Sequence, residues 1–234
     1  MRTLLVATLI GCGTSAAEVR RDEAPIVIEL FTSQGCSSCP PADRLLNELA
    51  KKGQLDGRPL APLAFHVDYW DELGWADPFA SPAWTERQRV YAHALGEGRV
   101  YTPELVVAGA AGMVGSQTGS VARAIAAAPK QRALAATATW EDARVVFAAT
   151  APADADVWVA VWQDGTRTAV PRGENSGETL VADRVVRRLE KVAAAGKAGT
   201  VEVALDGRWR AGGAVAFAQR GDRSIVGAAL LRRP

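Results

Sequence analysis

The chain has 234 residues, 48% of them hydrophobic, and its 27 Lys and Arg nearly balance its 26 Asp and Glu. That length holds one large domain or two small ones with a core of useful size. A formal charge of +1, without a basic stripe interleaved with aromatics, argues against nucleic acid as a partner.

Met1-Arg2 and the apolar run over residues 3–10 read as an export signal within residues 1–17, since one positive charge precedes a stretch too short to span a bilayer. Two cleavage sites compete. Ser15-Ala16-Ala17 offers the small residues a signal peptidase prefers, whereas Leu9-Ile10-Gly11-Cys12 matches a lipobox, which would make Cys12 a lipidated N-terminus. The protein is therefore expected outside the cytoplasm, periplasmic or secreted, with a lipid anchor if Cys12 is the site and with no transmembrane span. Either cleavage leaves Cys36 and Cys39 as the intramolecular pair, stable as a disulfide in an oxidising compartment.

Residues 26–32 read as a buried strand, followed by Ser33-Gln34-Gly35 and then Cys36-Ser37-Ser38-Cys39-Pro40 at a helix start. A thiol there faces unpaired backbone N–H groups and the positive end of the helix dipole, which stabilise its thiolate. A helix over residues 42–52 places Leu45, Leu46 and Leu49 at helical spacing and stops at Gly53, and a second strand covers 60–68. Strand, helix and strand in this order make a right-handed crossover, so the cysteines fall at the carboxyl edge of a parallel sheet. Residues 69–81 leave that same edge as an aromatic loop broken by Gly and Pro. Ser81-Pro82 opens a helix through about residue 95, Tyr101-Thr102-Pro103-Glu104 leads into a hairpin of strands at 105–108 and 113–114, and a helix over 120–128 stops at Pro129.

Beyond Pro129 the pattern turns to short alternating segments: 134–140, 144–150, 157–163, 166–170, 200–205, 214–219 and 224–231. The expected fold class is α/β, with a first domain over 24–130 and a mostly antiparallel, sandwich-like β domain over 131–234.

The CxxC after the first strand, the crossover helix and Thr102-Pro103 before a later strand together resemble the thioredoxin superfamily. The resemblance implies a thioredoxin-like N-terminal domain, a cis bond before Pro103, and a substrate-contact role for Thr102 and Pro103. More narrowly, Glu29 through Asp43, His66 through Trp75, Tyr101-Thr102-Pro103 and Gly173-Glu174-Asn175-Ser176-Gly177 resemble the exported family DUF1223, which carries no established activity. The chain departs from thioredoxin in Ser37-Ser38 between the cysteines, in having no Trp before Cys36, and in Pro40-Pro41 at the first helical turn.

Cys36 is the expected nucleophile, at an exposed helix cap, and Cys39 the resolving thiol. A CxxC loop is too short to remove much unfolded-state entropy, so redox use outweighs stapling. Glu29 sits in an otherwise apolar strand, either as a buried general base under the disulfide or as a carboxylate bonded to a backbone donor or an Arg. His66 and Asp68 share a strand face; His66 with Cys36 and Cys39 forms an alternative copper or zinc set, against the plainer reading of a satisfied strand-end histidine. Tyr69, Trp70, Trp75 and Phe79 form either a peptide-binding groove or a small core beneath their loop. The 173–177 segment reads as a tight turn, and Arg184, Arg187 and Arg188 as a solvated face.

The function expected is an exported thiol-disulfide oxidoreductase acting on protein or peptide thiols through the redox-active Cys36–Cys39 pair, without an organic cofactor. Metal handling and a non-catalytic binding module are the two alternatives.

Overall fold

The computed structural model describes residues 23–209 and 212–233. The export signal and Cys12 lie outside the described residues. Among the described residues no helix is long and apolar enough to cross a membrane.

Strand β1 (Ile26–Thr32) is buried along its whole length. Its alternation sorts two cores: Ile26, Ile28 and Leu30 pack with Ala42, Leu46 and Leu49 of α1 (Pro40–Lys52) and with Val121 and Ile125 of α3 (Thr118–Ala127). Val27 and Phe31 join Trp84 and Tyr91 of α2 (Pro82–Ala94) on the opposite face. Helix α1 ends where Gly53 takes φ 64° and donates its N–H to Leu49 O, a left-handed stop that glycine adopts without steric cost. Helix α2 begins at Ser81, whose hydroxyl accepts from Ala83 N, with Pro82 in the first turn as expected.

The short β2 (Gln54–Leu55) turns into β3 (Arg58–His66), which runs parallel to β1 in the register Ile26↔Leu60 through Thr32↔His66. Strands β4 (Glu104–Val107) and β5 (Ala111–Val114) add antiparallel on the other side of β1. The rest of the chain is nearly all strand: β6 (Arg132–Ala133), β7 (Ala136–Trp140), β8 (Arg144–Thr150), β9 (Asp156–Gln163), β10 (Thr166–Ala169), β11 (Thr179–Ala182), β12 (Val185–Ala193), β13 (Ala198–Ala204), β14 (Gly212–Gln219) and β15 (Ile225–Arg232).

The result is a mixed α/β architecture around a ten-stranded, mostly antiparallel sheet of order β5-β4-β1-β3-β12-β9-β14-β15-β6, with β2 beside β3. Residues expected to form a separate β region share this sheet with β1 and β3. The join is narrow: Val185 pairs with Ala64, whose N–H donates to Arg184 O. It is covered by one continuous core in which Phe31, Phe65 and Trp84 meet Trp162, Val186 and Phe217. Each large side chain buried there contributes roughly 1.5–3 kcal/mol relative to exposure. A second layer, the sheet β13-β8-β7, buries Val145, Phe147 and Val203 against Val157, Val159 and Ala216.

Sequence reading missed β11 and β12. In consequence two members of the arginine cluster are corrected: the Arg184 guanidinium lies 4.3 Å from the Trp162 ring centre and Arg187 lies over Phe79 and Trp209, both half-buried, while Arg188 is exposed as expected.

Candidate active site around Cys36 and Cys39

The strand-to-helix turn after β1 is fixed by its own backbone: Gly35 N donates to Ser33 Oγ, Cys36 N to Ser33 O and Cys39 N to Cys36 O. Gly35 is required by space, because a Cβ there would lie 3.1 Å from Trp70 Cβ. Cys36 and Cys39 are joined as a disulfide with their Cα atoms 5.5 Å apart, and Cys39 is the residue that opens α1.

Two expectations about this turn are revised. Pro40 and Pro41 have no N–H, and the next donors, Ala42 N and Asp43 N, both bond Cys39 O at 2.9 and 3.1 Å. The first turn therefore presents no free donor to a Cys36 thiolate, and the polar group that does approach is Ser38 Oγ, 3.3 Å from Cys36 Sγ. Cys36 is also not at an exposed cap, since both cysteines are fully buried.

The cover comes from across the molecule. In the loop between β10 and β11, Glu174 Oε2 accepts from Ser37 N at 3.0 Å, and Asn175 Nδ2 donates to Gln34 O at 2.9 Å and Cys36 O at 3.0 Å. The Ser37 contact holds the Glu174 carboxyl below its ordinary pKa. On another side lies the cis Thr102–Pro103 bond. Ser38 Oγ approaches Thr102 O at 3.5 Å, and Trp70 Nε1 donates to Thr102 Oγ1 at 2.8 Å.

The aromatic loop is pinned by such bonds. Trp75 Nε1 donates to Gln34 Oε1 and the Tyr69 hydroxyl to Gln88 Oε1, while Tyr69 and Trp70 pack against the core as half-buried residues. Tyr69 and Trp70 thus extend the main core, while Trp70 and Trp75 reach Thr102 and Gln34 beside the cysteine turn.

Of the environments expected for Glu29, the arginine pairing is the one present. Arg87 grips it through Nε at 2.5 Å and Nη2 at 3.0 Å, and the Tyr91 hydroxyl donates at 2.6 Å. Burial works to lower the Arg87 pKa, but Glu29 outweighs it and the value rises; burial pushes Tyr91 up as well.

The carboxyl near this turn whose pKa is raised is instead that of Asp43, half-buried in α1 one turn beyond Cys39. It accepts from Thr32 Oγ1 at 2.8 Å, and burial pushes it up to about 6 against the opposing pull of His66 and Thr32. His66 Nδ1 lies 2.7 Å from Asp77 Oδ2, and Asp77 also accepts from Gln34 N and Phe79 N. An acceptor so engaged requires Nδ1 to carry the proton, which leaves Nε2 buried without a partner. Burial acts to lower the His66 pKa, yet Asp77 and then Asp43 outweigh it and the value is raised; Asp77 is lowered because His66 and two N–H donors overcome its burial. The metal set Cys36, Cys39 and His66 does not come together: among the described residues no three His, Cys, Asp or Glu side chains are grouped to hold an ion.

His66, Asp43, Ser37 and Asn175 line a cleft of about 670 Å³ between α1 and β11. Asn47 ties its walls, donating to Val181 O and accepting from Asp183 N. Asp43 escaped sequence analysis because an acid in a first helical turn is ordinary. Asp77 and Asn175 gave no local signal, although the paired glycines at 173 and 177 marked a shaped loop.

A family model described as "Protein of unknown function (DUF1223)" matches residues 27–219. The crystal structure of protein AGR_C_4864 from Agrobacterium tumefaciens is similar with a TM-score of 0.69 and 30% identity, over 90% of this chain and 95% of that one. HBP35 of Porphyromonas gingivalis, at 15% identity and a TM-score of 0.59 over 89% and 75% of the two chains, is alike in fold alone. No curated protein matches the chain.

Proposed function

The chain belongs to the DUF1223 family, and on that premise we propose that it is an exported thiol-disulfide oxidoreductase whose N-terminal half is thioredoxin-like and whose substrates are protein or peptide thiols. The observation that carries this reading is the disulfide itself. Its two residues are three apart in a turn already held by backbone bonds, so it adds little as a staple. One helical turn from Cys39 stands Asp43, whose pKa burial pushes up to about 6.

In this reading a substrate thiolate attacks Cys36 Sγ, the Cys36–Cys39 bond breaks, and Cys39 leaves as a thiolate that takes up a proton. A second substrate thiolate then attacks its partner's sulfur in the mixed disulfide. This releases an oxidised substrate disulfide and leaves both cysteines reduced, with two electrons moved from substrate to protein. Asp43, one helical turn from Cys39, is the group that supplies the proton. Thr102 and Pro103 line the approach, and Trp70 holds Thr102 in place. Export rests on the N-terminal sequence.

The test is a titration of the mature protein in glutathione buffers, with alkylated Cys36 and Cys39 read by mass. A single reversible two-electron transition is expected. A pair that stays closed across the physiological glutathione range overturns the reading.

A further inference from the structure

The loop Gly173-Glu174-Asn175-Ser176-Gly177 has no part in the exchange chemistry, yet it occupies the polar backbone beside Cys36. Ser37 N–H, Gln34 O and Cys36 O are all bonded to it. While the loop is in place, an incoming polypeptide cannot bond any of these groups beside Cys36. With the loop in place both sulfurs are out of contact with solvent.

The loop is built as a unit. Gly173 at φ 81° and Gly177 at φ 87° bracket it, Ser176 N bonds Gly173 O, and Gly177 N bonds Val170 O. A side chain on Gly173 would meet Trp75, 3.1 Å away. The hairpin that carries it, β10 with β11, is a separate two-stranded sheet, held near the turn by Gln34 to Thr168 and by Asn47. Glu174 and Ser37 are both exposed, so their bond lies at the surface, while Asn175 is buried. The cleft along α1 opens beside this surface bond and includes Ser37, Pro40 and Asn175 in its walls. Its volume of about 670 Å³ suits a small molecule or a few residues of extended chain, and not a folded surface.

We infer that the Gly173–Gly177 loop sets the substrate class of the disulfide: it admits low-molecular-weight thiols, including short peptide thiols, and turns away thiols carried on folded proteins. The inference rests on the oxidoreductase reading above and narrows its substrate. A small thiol needs only Glu174 to part from Ser37. A folded partner needs the whole loop withdrawn, including the buried Asn175 amide.

The oxidised protein is mixed with dithiothreitol or with reduced thioredoxin, both reducing enough to open an ordinary exchangeable disulfide, and single-turnover opening is read by alkylation and mass. The wild type is expected to open faster with dithiothreitol at equal dithiol concentration. In the Glu174→Ala, Asn175→Ala double variant the thioredoxin-to-dithiothreitol rate ratio rises roughly tenfold, as the population of the open form rises. If the double variant does not fold, the single variants carry the test: Asn175→Ala raises the ratio about threefold, whereas Glu174→Ala speeds dithiothreitol opening and hydrogen exchange at the Ser37 amide with the ratio unchanged. Equal opening by both reagents in the wild type, or a ratio unmoved when Asn175 is replaced, overturns the gate and leaves the oxidoreductase reading standing. A disulfide that neither reagent opens in any variant removes both.

Discussion

Two carboxylates on neighbouring elements, the fully buried Glu29 of β1 and the half-buried Asp43 of α1, have opposite surroundings. Glu29 has a bidentate guanidinium and a phenol hydroxyl, with Tyr91 in turn bonded by Gln219. Asp43 has one hydroxyl and the charge of His66, itself shared with Asp77. Burial alone does not make a proton-handling group; burial with too few partners does. The contrast separates a structural ion pair from a group able to change charge in the physiological range.

The strongest way to break this comparison is Glu29→Ala. Removing the carboxylate strands the buried Arg87 charge and should cost about 3–5 kcal/mol, read as a lowered urea midpoint. A loss below about 1 kcal/mol would mean that the pair is not structural.

Asp43→Asn should act in the other direction and with a pH signature. The folded value of about 6 lies above the ordinary 3.8, so the folded state holds this proton more tightly than the unfolded chain. The associated stability is complete below the lower value and is lost as pH rises through the higher one, a decline of about 3 kcal/mol at most. The Asn variant lacks that decline and should be the more stable protein at pH ~8 by about 2 kcal/mol, with the difference gone near pH ~4. His66, raised by its carboxylate neighbours, adds a further decline on the alkaline side as it loses its proton. Urea melts at a series of pH values check both.

Smaller effects sharpen the picture at the sulfur. Ser38→Ala removes the hydroxyl beside Cys36 Sγ and should slow iodoacetamide alkylation of the reduced protein about fivefold at neutral pH, since a thiolate loses a donor. Pro41→Ala returns one N–H to the start of α1 and should speed the same reaction by about twofold.

Much of the frame was legible in the sequence, because β1, β3 and the helices carry clean periodicities and clear stops at Gly53 and Pro129. Strand β8 falls at residues 144–150, where the alternation predicts it. Strand β12 was not legible: Arg187, Arg188, Glu190 and Lys191 break its apolar pattern, and Arg187 is sheltered by rings from distant segments. The cysteine turn was plain, but its cover was not, since Asn175 reaches Cys36 over 139 positions of chain. Glu29 was singled out for its apolar neighbours, yet its partner Arg87 lies 58 positions on and looks like any helix surface cation. Local pattern reports what a segment can become, and the long-range pairing of charges decides what a given carboxylate does.

The shared core across the Ala64–Val185 join bears on any attempt to work with the first 130 residues alone. Such a fragment would keep the cysteine turn but bare Phe31, Phe65 and Trp84 to water where Trp162 and Phe217 now lie, and it would lose the Asn175 amide from the Gln34 and Cys36 carbonyls. It would not be a minimal working unit but a sticky relic, prone to clump.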